Sequence, residues 1–140
     1  PYKSEIYLLS GLEDDFLQLA YSGASLLIFP SLAEGFGWPI AEAMASGCPV
    51  ITTDEAPMTE VAGTAGFYIP RCPEEKSDLK AWANKAAKVV DQVLNLSSAE
   101  RNEVIERGLK NAKRFEPCLA LNQIHSIYQN ILSNRESIKS

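Results

Sequence analysis

The chain has 140 residues, 46% of them hydrophobic and 22% charged, which is the balance of one soluble globular core. Its net charge of −5 is unevenly placed: residues 1–70 hold one base, Lys3, and nine acids, whereas residues 71–140 hold twelve bases and nine acids. The acidic half argues against nucleic acid as a partner, because phosphate backbones are held by basic surface. No apolar run reaches the ~18 residues of a membrane span, and Pro1-Tyr2-Lys3-Ser4-Glu5 enters a strand-like stretch without a leader. The missing initiator Met suggests a piece cut from a longer chain. Cys48, Cys72 and Cys118 are odd in number and widely spaced, which argues against a disulfide framework or zinc site and for three small buried thiols in a reducing compartment.

In chain order, Ile6–Ser10 reads as a short strand closing at Gly11. Glu13–Ala24 carries Phe16, Leu17, Leu19, Ala20 and Tyr21 at helical spacing, with acids in its first turn. Ser25–Phe29 is a flat apolar run ended by Pro30, which suits a buried strand. A loop follows, then a helix through Ala45 with Pro39 at its first position and Gly47 as its stop. Val50–Thr53 and Phe67–Ile69 predict two further strands, with a short helix over Met58–Val61 between them. Strands alternating with helices predict a parallel sheet in an α/β layer fold.

The second half is helical. After a polar linker at 71–77, Leu79, Trp82, Ala83, Ala86, Val89, Val90 and Val93 mark one face of a long helix. Ser97 with Glu100 forms a capping box for another, with Val104, Ile105, Leu109 and Ala112 inward. Pro117 opens the last helix, whose stripe is Leu121, Ile124, Tyr128, Ile131 and Leu132. His125, the single histidine, lies beside that stripe and reads as structural or exposed.

Between the Ser25–Phe29 strand and its helix stands Pro30–Ala45, P-S-L-A-E-G-F-G-W-P-I-A-E-A-M-A. Gly35 and Gly37 permit a tight turn and let a ligand approach backbone N–H groups, which with the helix start make a weakly electropositive cradle. Glu34 falls in the loop and Glu42, eight positions later, in the first helical turn, so that both face one opening. A glutamate there also stabilises the helix start by itself, by about 0.3–1 kcal/mol. Spacing alone therefore leaves a ligand site and ordinary turn chemistry both open.

Glu34 and Glu42 around G-F-G-x-P, followed in register by Gly47-Cys48-Pro49-Val50-Ile51 and Pro57-Met58-Thr59-Glu60-Val61, resemble the signature of the group one retaining, nucleotide-sugar-dependent glycosyltransferases. Arg114-Phe115-Glu116, with His125, Ile127, Tyr128 and Leu132, resembles that family's closing helices. The resemblance implies GT-B architecture, two Rossmann-like domains with the acceptor mainly on the first and the nucleotide sugar on the second. It covers only the later part of the second. The expected fold is thus α/β, half of a Rossmann-like parallel sheet with flanking helices and a helical C-terminal segment. The expected organisation is one N-terminally truncated donor-binding domain, 1–140: strand–helix alternation over 1–70, linker 71–77, helices 78–134 and tail 135–140. In a sheet ordered 3-2-1-4-5-6, Ile6–Ser10 would be strand 3 and Ser25–Phe29 strand 4, with strands 1 and 2 missing.

By that likeness Glu34 is the catalytic-site acid, hydrogen-bonding the donor sugar. Gly35, Phe36 and Gly37 line sugar and phosphate, and Glu42 holds the ribose. Carboxylates suit these tasks because they accept hydrogen bonds from vicinal hydroxyls. Trp38 stands where the family often has a small aliphatic residue. A nucleotide diphosphate calls for a cation, yet no Lys or Arg occurs between Ser4 and Pro70. No metal or other cofactor is expected, the nucleotide-diphosphate sugar being a substrate. The implied acceptor is a carbohydrate or lipid-linked molecule held by the missing first domain. The implied setting is cytoplasmic, peripheral to the inner membrane for the full-length parent. Two other functions fit the scaffold: a non-catalytic interaction module, and a sugar-nucleotide epimerase, for which His125 is the only histidine available.

Overall fold

The computed structural model describes residues 5–137; residues 1–4, and with them Lys3, and 138–140, the end of the expected tail, lie outside it. Helix α1 (Asp14–Gly23) opens with Asp14 and Asp15 in its first turn, where carboxylates oppose the positive helix end. Then come β1 (Leu27–Phe29), α2 (Trp38–Ala45), β2 (Val50–Thr53), α3 (Met58–Ala62), a 3-10 turn at Gly63–Ala65 and β3 (Phe67–Ile69). Helices α4 (Leu79–Leu94) and α5 (Ser98–Ala112), a 3-10 turn at Lys113–Phe115 and α6 (Pro117–Ser137) complete the described chain. The strands form one parallel sheet in the order β1-β2-β3, with Leu27 opposite Val50 and Ile51 opposite Phe67. This is the expected α/β layering.

All four residues of β2 are buried, as a central parallel strand covered on both faces requires. On one face Val50 joins Ile40, Ala43 and Met44 of α2, Met58 and Val61 of α3, Ala112 at the end of α5 and Phe115 of the 3-10 turn that follows it. On the other, Ile51 and Ile69 meet Val93, Trp82, Ala86 and Val89 of α4. The Trp82 indole Nε1 donates to Pro70 O at 2.6 Å, which fixes where the 71–77 stretch leaves the sheet. Ser97 and Glu100 form the predicted capping box, with Glu100 Oε2 accepting from Ser97 N at 2.8 Å and from Ser97 Oγ at 2.6 Å. These bonds hold the Glu100 carboxyl below the usual range.

Several expectations need correction. Ile6–Ser10 is not a strand: Leu8 is 97% exposed, and no strand of the described residues lies beside this run to take its backbone hydrogen bonds. Among the described residues the sheet therefore has three strands and not four. The apolar stripe of α6 is exposed along its length, because α6 packs against little beyond the preceding 3-10 turn; His125 beside it is exposed, one of the two outcomes expected of it. Leu109, expected inward, is exposed, while the inner side of α5 at that level is Gly108. Helix α6 also runs to Ser137, into the stretch expected as a tail. Of the three free thiols only Cys48 is buried; Cys72 is partly so and Cys118 stands exposed at the start of α6.

Gly108 packs flat on Met44, which is 1% exposed. A Cβ built at Gly108 would meet Met44 Cβ and Cγ at 3.6 Å, ordinary contact. Gly108→Ala is thus expected to hold or raise stability, by up to about 1 kcal/mol from helix propensity. Met44→Ala is expected to lose about 2–5 kcal/mol by leaving a cavity at the same spot. Urea denaturation of the two variants checks both, and a loss in Gly108→Ala as large as in Met44→Ala would contradict this packing.

Candidate functional site

The motif loop leaves the carboxyl end of β1 and is clamped there by β2. Thr52 Oγ1 donates to Phe29 O at 2.9 Å and Thr53 Oγ1 to Ser31 O at 2.8 Å. Both threonines are buried, and these carbonyls are the partners of their hydroxyls. Ser31 Oγ in turn donates to Glu34 Oε1 at 2.8 Å. A chain of contacts thus runs from the buried end of β2 to one oxygen of Glu34, whose side chain is exposed. Neither Ser31 nor Thr53 was singled out in the sequence; a polar pair ending an otherwise apolar buried strand was the available signal.

Gly37 turns the loop into α2. Its φ is +97°, a conformation that only glycine adopts without strain, and a Cβ there would lie 3.3 Å from Ile40 Cδ1. No side chain caps α2; Pro39 has no N–H and Ile40 N donates to Gly37 O at 3.0 Å, so the helix start is closed mainly by its own backbone. Because α2 begins at Trp38, Glu42 is its fifth residue and lies in the second turn, where the sequence placed it in the first. That phase puts Glu42 on the exposed face of α2 with Trp38 and Ala45, and Glu42 and Ala45 lie against α1.

Glu42 lines a groove of about 300 Å³ with Asp14, Leu17, Gln18, Tyr21, Ala45 and Ser46. Glu34 is not among the residues that line this groove. Burial pushes the Tyr21 hydroxyl above the usual tyrosine value, and the Glu42 carboxylate facing it raises it further, with Cys48 adding to the effect.

On the other flank is an aromatic cluster. Phe36 lies 4.7 Å from Trp38, tilted by 44°, and meets Phe115 edge-on at 5.3 Å. The Arg114 guanidinium sits 5.1 Å over the Phe115 ring and donates to Asn111 Oδ1 at 2.8 Å. The stretch from Ser4 to Pro70 has no cation, and Arg114 is brought to this flank from the second half of the chain. Among the described residues no three His, Cys, Asp or Glu side chains converge in a way that could hold a metal ion.

A family model described as glycosyl transferases group 1 matches residues 2–92, a span that includes β1, the motif loop, the sheet and most of α4. The chain belongs to this family. Its relatives include the O-antigen chain mannosyltransferase RfbU of Salmonella typhimurium, 33% identical over 113 residues, 81% of this chain and 30% of that protein. O-antigen chain mannosyltransferase B of Escherichia coli is 41% identical over 110 residues, 79% of this chain and 26% of that protein. The capsular polysaccharide biosynthesis glycosyltransferase CapM of Staphylococcus aureus is 31% identical over 119 residues, 83% of this chain and 29% of that protein. The chain therefore spans less than a third of the length of these relatives. No helix among the described residues is long and apolar enough to cross a membrane.

The facing of Tyr21 and Glu42 can be tested by titration. Tyr21, read as the difference between the parent chain and Tyr21→Phe in the 295 nm absorbance, is expected to ionise above the ordinary ~10. Glu42→Gln is expected to bring it down part of the way, leaving the share due to burial. An unchanged Tyr21 titration in Glu42→Gln would show that the carboxylate does not face it.

Proposed function

We propose that this chain is the donor-binding part of a retaining glycosyltransferase that moves a sugar from a nucleotide-diphosphate donor to a glycan or lipid-linked acceptor. The observation that carries this is the motif loop, set at the carboxyl end of a parallel strand in a chain of the group 1 family. Ligands of α/β sheets bind outside that end of the strands. In this reading Glu34, steadied by Ser31, accepts hydrogen bonds from the donor sugar. The backbone of Gly35, Phe36 and Gly37 lines the sugar and the phosphate. Glu42 lies four residues further along, roughly 6 Å of helix rise, and takes the ribose hydroxyls in the α1 groove.

In the transfer the C1–O bond to the diphosphate breaks, a C1–O bond to an acceptor hydroxyl forms, and that hydroxyl's proton leaves with the diphosphate. A carboxylate held by hydrogen bonds beside the ring stabilises the positive charge that builds there. The printed names of the relatives make mannose the first sugar to test. They are names of transferases, and neither an epimerase nor a non-catalytic module draws support from them.

The test uses the full-length parent. Glu34→Gln is expected to lower kcat with little change in donor KM, because its partner is the reacting sugar. Glu42→Gln is expected to raise donor KM with little change in kcat, because the ribose is remote from the bond broken. Each change should be about 10- to 150-fold, the value of one charge-assisted hydrogen bond. Parental kcat and KM in both variants would refute the assignment.

The 140-residue chain alone is expected to give no transfer with any of a panel of nucleotide sugars and acceptors. An unneutralised diphosphate carries a desolvation penalty of several kcal/mol per charge, and residues 4–70 supply no Lys or Arg. Turnover above a Glu34→Ala control would overturn this.

A further inference from the structure

The register of β1 against β2 ends with Phe29 opposite Thr52, and the next residue, Pro30, has no N–H to add to a ladder. The clamp between the two chains nevertheless goes one step further. Thr53, 1% exposed, reaches past the proline and donates from Oγ1 to Ser31 O at 2.8 Å. That bond ties the Ser31 backbone to the end of the central, buried strand. From there the Ser31 hydroxyl has two acceptors within reach, Ala33 O at 3.2 Å and Glu34 Oε1 at 2.8 Å. A hydroxyl has a single proton to give, and the closer, charged oxygen takes it. Among the described residues Oε2 of Glu34 accepts no hydrogen bond. One oxygen of an exposed carboxylate is therefore tied, and the other is left over.

We propose that Ser31, fixed in place by Thr53, is a positioning residue for the sugar transfer: it holds Oε1 of Glu34 so that Oε2 is presented to the donor sugar. The proposal rests on the transferase function given above and adds to it two residues that act through Glu34. Glu34 is exposed, and a long exposed side chain samples several rotamers unless something ties it. Every rotamer that misses the sugar lowers the fraction of complexes ready to react. A partner that selects one rotamer beforehand raises that fraction. A serine on a loose loop would move with the carboxylate it holds, and it would select nothing. Thr53 supplies the fixed point, because its hydroxyl is buried and spent on the Ser31 carbonyl. The longer contact to Ala33 O is the bond of a serine that only closes its own turn. The shorter contact to Glu34 is the one that reaches the site.

The test is steady-state kinetics of the full-length parent at saturating acceptor, read as kcat and donor KM, alongside melting curves. Ser31→Ala is expected to lower kcat roughly 3- to 10-fold, the loss of one hydrogen bond, with donor KM within about twofold of the parent's. Ser31→Thr keeps the hydroxyl and should recover most of the rate. Thr53→Val keeps the side-chain shape and removes the donor, so it should lower kcat in the same way, and Thr53→Ser should recover it. A serine that only closes its turn would move the melting temperature and leave kcat parental. The proposal is overturned by a parental kcat in Ser31→Ala or in a folded Thr53→Val. It is equally overturned by a Ser31→Thr variant as slow as Ser31→Ala, or by a donor KM that rises as far as kcat falls. Ser31 lies on the loop and outside the core clusters, so its two variants keep the test valid where Thr53→Val does not fold. Glu34→Gln reads the site assignment separately. A fall in its kcat with none in Ser31→Ala removes the positioning alone, whereas a parental kcat in Glu34→Gln removes the site assignment and the positioning together.

Discussion

Everything about the site depends on the burial of one face of α2. Ile40 and Ala43 are fully buried and Met44 nearly so, pressed between the sheet and α5. Gly108 opposite Met44 lets α2 and α5 approach closely. Asn111 closes the same seam, donating from Nδ2 to Val61 O at 2.7 Å with Met44 Sδ 3.4 Å away, so that α2, α3 and α5 share one polar contact within an apolar core. The motif loop is tied to this seam at one end by Gly37 and to β2 at the other by Thr53. A loop anchored at both ends by buried groups holds its carboxylate and its aromatic ring in place without needing a compact fold of its own.

Charge is arranged by the same packing. The first half of the chain has acids and almost no bases, and the second half returns arginines to it at defined points. Arg101 Nη2 donates to Ser25 O at 2.7 Å, ahead of β1, and Arg114 Nη1 lies 3.4 Å from Glu60 O at α3. Arg71 pairs with Glu55 at 2.9 Å, but both side chains are almost half exposed, so this pair adds little to stability. The more telling contacts are those to backbone carbonyls, which fix the angle between helices and sheet. Glu34 and Glu42 are left out of these pairings and stay exposed on the acidic half.

The local chemistry of the chain was legible in its residues, and its surroundings were not. Val50–Thr53, Phe67–Ile69, the Ser97–Glu100 capping box and the Pro117 helix start appear where short apolar runs, caps and proline place them. Each of those signals is satisfied by near neighbours. Ile6–Ser10 and the α6 stripe carry equally good periodicity and do not pack, because a strand needs a partner for its hydrogen bonds and an apolar stripe needs a second surface. The site divides in the same way. The placement of Glu34 in a loop after a strand could be read from Pro30 and the glycines. The side to which Glu42 points turned on a single residue of helical phase, since starting α2 at Trp38 moves it into the second turn and toward α1. The cluster of Phe36 with Phe115 joins residues 79 positions apart, a distance over which no periodicity speaks.

The exposed apolar residues and the exposed site have one geometric origin. Strand β2 is covered on both faces and paired on both edges, and all its residues are buried. Among the described residues strand β1 is paired on one edge only, and Ile28 in its middle is 46% exposed. In a parallel α/β sheet the binding crevice opens beside the carboxyl end of a strand and takes its two walls from two neighbouring strands. Here the loop after β1 supplies one wall, with Glu34 and Trp38 upon it, and the described residues supply none opposite. The same unpaired edge that leaves Ile28 in solvent therefore leaves the motif accessible. A ligand at this wall meets a carboxylate, glycine backbone and an aromatic face, all groups that recognise the shape and hydroxyls of a sugar. Neutralising a phosphate is the task that this wall, without a lysine or arginine of its own in residues 4–70, is least equipped to do.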